Sequence, residues 1–292
     1  MSSGPTYGSW LPPTADPPEG SSSPPPIAAG AALPRWAPWT AWVAILTAFA
    51  FALLGALTIG GVAAIFGESF EDPPAGVNIA ATFVQDGAFI AAALLFMARA
   101  GRIVPAQLGF TRTRLWPAVG WTALAYVAYG LLSQLWAQLV DVTEQDRLPE
   151  SLGVDESTVA LVAVCVLVTV VAPIAEEVLF RGYVFGALRN WRGVWPAALL
   201  TGAIFGGIHA GSSPAEFLVP LAILGTMLCL VRWRTGSLLP CIALHAINNG
   251  IAFAVAEEWT FGQGLLLVVG ATVVTLLISR PFLGPRPDAR PA

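Results

Sequence analysis

The chain has 292 residues, of which 56% are hydrophobic and 11% charged, with a mean hydropathy of +0.71 and a formal net charge of -4. A soluble domain carries about 25% charged residues, so the composition excludes an ordinary soluble fold and indicates a polytopic membrane protein. All 14 basic residues are Arg, and no basic cluster is long enough to bind nucleic acid.

Residues 1–35 are rich in Pro, Ser and Gly and poor in large apolar groups, which predicts a disordered cytoplasmic tail. No basic segment precedes an apolar core there, so the segment does not read as a cleavable signal peptide. Eight apolar stretches then follow, each a candidate to cross roughly 30 Å of hydrocarbon. They are Trp39–Ile65, Val77–Phe96, Trp116–Val140, Thr158–Phe180, Trp195–His209, Phe217–Val231, Leu238–Ala256 and Gly264–Ile278. The predicted fold is all-α: an eight-helix membrane domain over residues 36–280, with a short cytoplasmic tail over 281–292. The fifth, sixth and eighth stretches are short for a crossing.

The arginines set the predicted orientation. Arg35 precedes the first span. Arg99, Arg102, Arg112 and Arg114 lie between spans two and three, and Arg189 and Arg192 between four and five. Arg232 and Arg234 lie between six and seven, and Arg280, Arg286 and Arg290 follow the eighth. The alternate loops are acidic or neutral, apart from Arg147. The positive-inside rule then places both termini in the cytoplasm.

Polar groups at membrane depth are costly and mark functional sites. The chain has only two histidines, His209 and His245, and both fall in apolar stretches. A third polar group is Glu176-Glu177-Val-Leu-Phe-Arg181. Glu177 and Arg181 are four apart, as are Phe205 and His209, and His245 and Asn249. On a helix, that spacing puts each pair on one face. Glu177 thus faces Arg181 and neutralises it, whereas Glu176, rotated by about 100°, points elsewhere. From the cytoplasmic end, Glu176 and His209 each lie about 21 Å deep and His245 about 16 Å, at 1.5 Å per residue. The groups can therefore converge on one buried polar chamber.

Such a set suits hydrolysis of a peptide bond within the membrane. A buried carboxylate, Glu176, serves as general base on water, and His209 orients that water. His245 and Asn249 donate to the oxyanion of a tetrahedral intermediate. The competing reading is a catalytic zinc held by Glu176, His209 and His245, with an open position for water. No His-Glu-x-x-His helix anchors such a site, so a metal-free glutamate mechanism is preferred and no cofactor is required.

The remaining polar and thiol groups read more plainly. Cys165, Cys229 and Cys241 lie in predicted spans without metal-ligand spacing and read as small buried apolar residues. Gln85-Asp86 sits in the middle of the second span, as a structural hydrogen-bonding pair or a substrate contact. Ser213-Pro214-Ala-Glu216 reads as a helix start, with Ser212 or Ser213 as the cap and Glu216 in the first turn.

Glu176-Glu177-Val-Leu-Phe-Arg181, Phe205-Gly-Gly-Ile-His209 and His245-Ala-Ile-Asn-Asn249 resemble the three signature motifs of the CAAX protease and bacteriocin-processing (CPBP) family of intramembrane proteases. That family includes the type II CAAX prenyl endopeptidases. Arg234-Thr-Gly-Ser-Leu-Leu-Pro240 also resembles the family, and the likeness covers roughly residues 158–254. It implies an eight-helix fold with a conical chamber open to the cytosol. It implies that Glu176 activates water with help from His209, that His245 and Asn249 form the oxyanion hole, and that Glu177 and Arg181 are structural supports. It leaves Asn248 undecided, since the family pattern points to the residue four after the histidine. The expected partners are membrane lipids and a membrane-associated protein or peptide substrate, and the expected location is a bacterial inner membrane. The alternatives are a non-catalytic scaffold or bacteriocin-immunity protein on the same fold and, more remotely, a small transporter, for which no inverted repeat is visible.

Overall fold

The computed structural model describes residues 36–140, 149 and 152–285. The tail expected over residues 1–35, together with Arg147, Arg286 and Arg290, lies outside the described residues.

All eight apolar stretches form helices, and the described residues contain no strand. In chain order they are α1 (Trp39–Ile65), α2 (Ala75–Ala100), the single turn α3 (Pro105–Leu108), α4 (Leu115–Leu139), α5 (Thr158–Arg192), α6 (Val194–Gly207), α7 (Ala215–Thr235), α8 (Leu239–Ala256) and α9 (Phe261–Ser279). Seven of them are long and apolar enough to cross a membrane. The exceptions are the single turn α3 and α6; the 14 residues of α6 span about 21 Å against roughly 30 Å of hydrocarbon. Outward positions are apolar: Leu46, Leu131 and Val159 are 69, 69 and 80% exposed. That is the surface of a multi-pass membrane protein, with lipid in place of water.

Local sequence accounts for the helix ends. The Ser157 hydroxyl caps α5 by accepting the Ala160 N–H at 3.1 Å. Thr260 and Gln263 form a reciprocal capping box on α9. At α7 the expected serine cap is not made. Pro214 occupies that position with ψ 150° and no side-chain cap, so the helix starts at Ala215, one residue too late for a Ser213 cap.

The arginine-bearing ends gather at one end of the bundle. Leu238 N–H donates to Gly109 O at 2.7 Å, the Ser237 hydroxyl to Thr111 O at 2.7 Å, and Thr111 pairs with Gly284 as an isolated bridge. The loops after α2, α7 and α9 therefore meet. The end of α5 joins the start of α1 through Asn190 Nδ2–H to Trp36 O at 3.3 Å and the Tyr183–Trp36 ring contact. At the opposite end, Trp136 Nε1–H donates to Glu216 O at 2.8 Å, tying α4 to α7. This matches the alternation of charge read from the sequence.

Small residues set the closest helix approaches. Ala41, Ala44 and Ala48 of α1 are fully buried in the same core as Ala92 and Ala93 of α2. The passage of α6 over α7 is tighter. A Cβ on Gly202 would stand 2.6 Å from Ala222 O and 2.7 Å from Thr226 N, and one on Gly225 would stand 2.9 Å from Gly202 Cα. These neighbours are backbone atoms, so the helices must separate to admit a side chain. Such small-residue faces are how membrane helices gain close packing. Gly202→Val is expected to destabilise the protein by about 1–3 kcal/mol, read as a lower midpoint of thermal unfolding in detergent. The same change at Gly270, where nothing lies within 4 Å of the added Cβ, is expected to be silent.

Candidate active site

The site is built on α5, which is not a regular α-helix. It passes through π-helical turns over Leu167–Val171 and Val178–Val184, on either side of the α-helical Ala172–Glu177 that carries both glutamates. Pro173 explains the first. It has no N–H, so in π geometry the carbonyl five residues back, that of Val168, loses its donor. Asn249 of α8 supplies the replacement: its Nδ2–H donates to Val168 O at 3.0 Å. One amide proton of Asn249 is thereby spent on the fold. Asn248 Nδ2–H reaches Asn249 Oδ1 at 3.4 Å and helps to orient that amide.

Glu177 is the centre of the cluster. Its Oε1 accepts from Arg181 Nη1–H at 2.7 Å and from His245 Nδ1–H at 2.9 Å. Glu177, Arg181 and His245 are 0, 1 and 3% exposed. Arg181 also donates through Nη2 to Gly225 O at 3.1 Å and lies over the Phe205 ring, with Cζ 4.3 Å from the centroid. One guanidinium thus ties α5 to α6 and α7. The expected neutralisation of Glu177 by Arg181 takes the form of this buried ion pair.

With Nδ1 committed to Glu177, His245 turns Nε2 toward Glu176, 3.8 Å from Oε2. Glu176 is 8% exposed, and its Oε2 has no hydrogen-bond partner. A carboxylate, an imidazole and a second carboxylate therefore lie in line: Glu176, His245, Glu177. His209 sits just beyond the end of α6, half-buried, with Nδ1 2.7 Å from Phe205 O. Its ring centroid is 5.0 Å from that of Phe205, and the His245 centroid is 5.6 Å from the same ring. Both histidines thus pack on Phe205, and the imidazole next to the Glu176 carboxylate is that of His245.

Two features escape sequence reasoning. One is the Glu177–His245 bond between α5 and α8, which no spacing within a single helix reveals. The other is Phe205 as the plate shared by Arg181, His209 and His245, signalled only by its place four residues before His209. A cleft of about 460 Å³ opens beside Asn248, lined also by Tyr126, Tyr129, Phe217, Leu221 and Val255. Among the described residues, no three His, Cys, Asp or Glu side chains are grouped to hold a metal ion. Glu176, His209 and His245 as arranged do not fit the three-ligand zinc set.

Removing one member of a buried ion pair leaves an uncompensated charge, so Arg181→Met is expected to destabilise by about 3–5 kcal/mol. The double change Glu177→Leu with Arg181→Met is expected to be less damaging than Arg181→Met alone. Thermal unfolding of the detergent-solubilised variants measures both; additive losses would contradict the pairing.

Comparison with known proteins places this geometry. Residues 158–251 match the family described as Type II CAAX prenyl endopeptidase Rce1-like. The chain is 29% identical over 140 residues to an uncharacterized 24.3 kDa protein of Escherichia coli, covering 46% of this chain and 62% of that protein. It is 29% identical over 80 residues to the UPF0177 protein YxdF of Lactococcus lactis, covering 27% of this chain and 42% of the relative. The matches thus span about three fifths and two fifths of these relatives' lengths. No solved structure matches. The segment that builds the site, residues 158–251, is thus the part of the chain that is similar to the Rce1-like type II CAAX prenyl endopeptidases, a family of CAAX-type intramembrane proteases.

Proposed function

We propose that the protein is an intramembrane endopeptidase that hydrolyses a peptide bond of a membrane-associated protein or peptide with water activated by Glu176. The observation that carries this reading is the Glu176 carboxylate held 3.8 Å from His245 Nε2 while Glu177 fixes the other ring nitrogen. A general base held near a hydrogen-bond donor for the oxyanion is what attack by water on a carbonyl requires.

The chemistry runs through this chain's own residues. Glu176 takes a proton from water as the water oxygen bonds the scissile carbonyl carbon. His209, held through Nδ1 by Phe205 O, uses Nε2 to orient that water. The carbonyl electrons move onto oxygen, and the oxyanion accepts hydrogen bonds from His245 Nε2–H, in the imidazolium form, and from the second amide proton of Asn249. The C–N bond then breaks, and the proton held by Glu176 passes to the departing amine nitrogen. Glu177 and Arg181 hold His245 in place. No step uses a metal. The cleft beside Asn248 accommodates apolar side chains of the substrate.

The arginine-rich end of the bundle faces the cytoplasm in this reading, with both termini on that side. The membrane is a bacterial inner membrane, in keeping with the organisms of the two relatives. Lipids and the membrane-bound substrate are the partners.

The test is hydrolysis of a membrane-peptide library by the protein reconstituted in liposomes, with and without a strong chelator. Cleavage that persists in chelator, and losses of about 10²–10⁴-fold in Glu176→Ala and His209→Ala with normal membrane insertion, are expected. Full activity in either variant would refute the assignment, and loss in chelator would refute the metal-free route. A deletion phenotype rescued by Glu176→Gln would favour the scaffold or immunity reading.

A further inference from the structure

The second span carries an acid that the mechanism above leaves unused. Asp86 of α2 is 1% exposed, and neither of its carboxylate oxygens has a hydrogen-bond partner. Gln85 beside it does not form a pair with it. Gln85 turns to a separate cleft of about 530 Å³ with Asn78 and Thr82. Asp86 is therefore a buried polar group without the partner that such groups normally require.

Its surroundings name the partner. α2 packs on Ala172–Glu177 and Val178–Val184 of α5, and also on α1 and on the first part of α5. α1 brings no charged residue to Asp86, and residues 158–171 bring none beyond the Cys165 thiol. The charged groups on the facing segments are Glu176, Glu177 and Arg181. Arg181 is engaged by Glu177, Gly225 O and the Phe205 face. Glu177 Oε1 is engaged by Arg181 and His245, while Glu177 Oε2 and Arg181 Nε make no hydrogen bond. Helix packing matches Glu176 to Asp86: Phe89, three residues after Asp86, meets Phe180, four residues after Glu176, with ring centroids 6.3 Å apart. Asp86 and Glu176 also stand at one depth: each lies 13 residues before an arginine of the basic end, Arg99 or Arg189, about 20 Å along the helix. Glu176 Oε2, like both Asp86 oxygens, has no hydrogen-bond partner.

Three acids then share this buried cluster with one guanidinium and one imidazole. Two carboxylates that face each other in a low-dielectric interior do not both ionise. His245 and Arg181 favour the charge on Glu176 and Glu177, and among the described residues the segments facing Asp86 carry no cation besides Arg181. We propose that Asp86 carries a proton and donates it in a hydrogen bond to Glu176 Oε2, holding the base in position from the neighbouring helix. Asp86 acts through Glu176 and does not touch the substrate, so it is a positioning residue. The inference rests on the assignment of Glu176 as the base.

The test uses the full chain in detergent or liposomes. Asp86→Asn keeps a donor of the same shape and is expected to stay within a few-fold of wild-type kcat on the cleaved library peptide. Asp86→Leu, with normal insertion, is expected to lose about 10²-fold in kcat, the scale of a misplaced catalytic group, with KM unchanged. Asp86→Leu combined with Glu176→Gln is expected to be no slower than Glu176→Gln alone, since the two act as one unit. Wild-type kcat in a folded Asp86→Leu, additive losses in the double variant, or an Asn variant as slow as Leu would overturn the proposal. Difference infrared spectroscopy decides the point without activity, and so also if Leu disturbs folding. The carbonyl stretch of a protonated carboxyl is expected in the wild type, shifted in Glu176→Gln and lost in Asp86→Asn. No such band, or a band unchanged in Asp86→Asn, would overturn it. An active Glu176→Gln would instead refute the function while leaving the infrared result to judge Asp86.

Discussion

Glu177 Oε1 accepts hydrogen bonds from Arg181 at 2.7 Å and from His245 at 2.9 Å, and the rest of the site follows from that shared acceptor. Both donors are buried, and a buried carboxylate is tolerated only when it is paired and hydrogen-bonded. Arg181 supplies charge from one turn along the same helix. His245 supplies a second bond from α8. The same contact decides which imidazole nitrogen is left over: Nδ1 is taken, so Nε2 faces Glu176. Arg181 carries the constraint outward to the Gly225 carbonyl and the Phe205 face, and Phe205 in turn carries His209.

Packing around the cluster delivers these groups by two devices. Gly202 and Gly225 let α6 and α7 approach until backbone nearly meets backbone, which brings the Gly225 carbonyl and Phe205 within reach of Arg181. Pro173 withholds a donor from the backbone of α5, and Asn249 of α8 takes up that role at Val168 O. The asparagine is therefore both a fastener between α5 and α8 and a candidate oxyanion donor. The second device links helices distant in sequence. A substitution made to probe catalysis at Asn249 thus also tests the helix pairing.

Much of the fold was legible because the bilayer writes a simple rule into sequence. Every apolar stretch became a helix, and α1 and α8 began or ended within a residue of the expected positions. α6 was expected to be short, and it is, ending at Gly207, two residues before His209. Pro214 displaced the expected serine cap of α7. Within the site, the Glu177–Arg181 pair was legible because an i,i+4 spacing fixes a shared face. The Glu177–His245 bond was not, since helical periodicity says nothing about which face of α8 meets which face of α5. The π turns of α5 were equally hidden: they alter the rotation per residue, so positions beyond them cannot be counted at 100° each.

The single histidine left in His209→Gln gives the most direct test of the shared acceptor. Imidazole ¹⁵N NMR of that variant reports the protonation and hydrogen bonding of each His245 ring nitrogen separately. The account predicts a proton on Nδ1 in a strong hydrogen bond to a carboxylate, lost in the further change Glu177→Gln. A bare Nδ1 with the proton on Nε2 alone would contradict it.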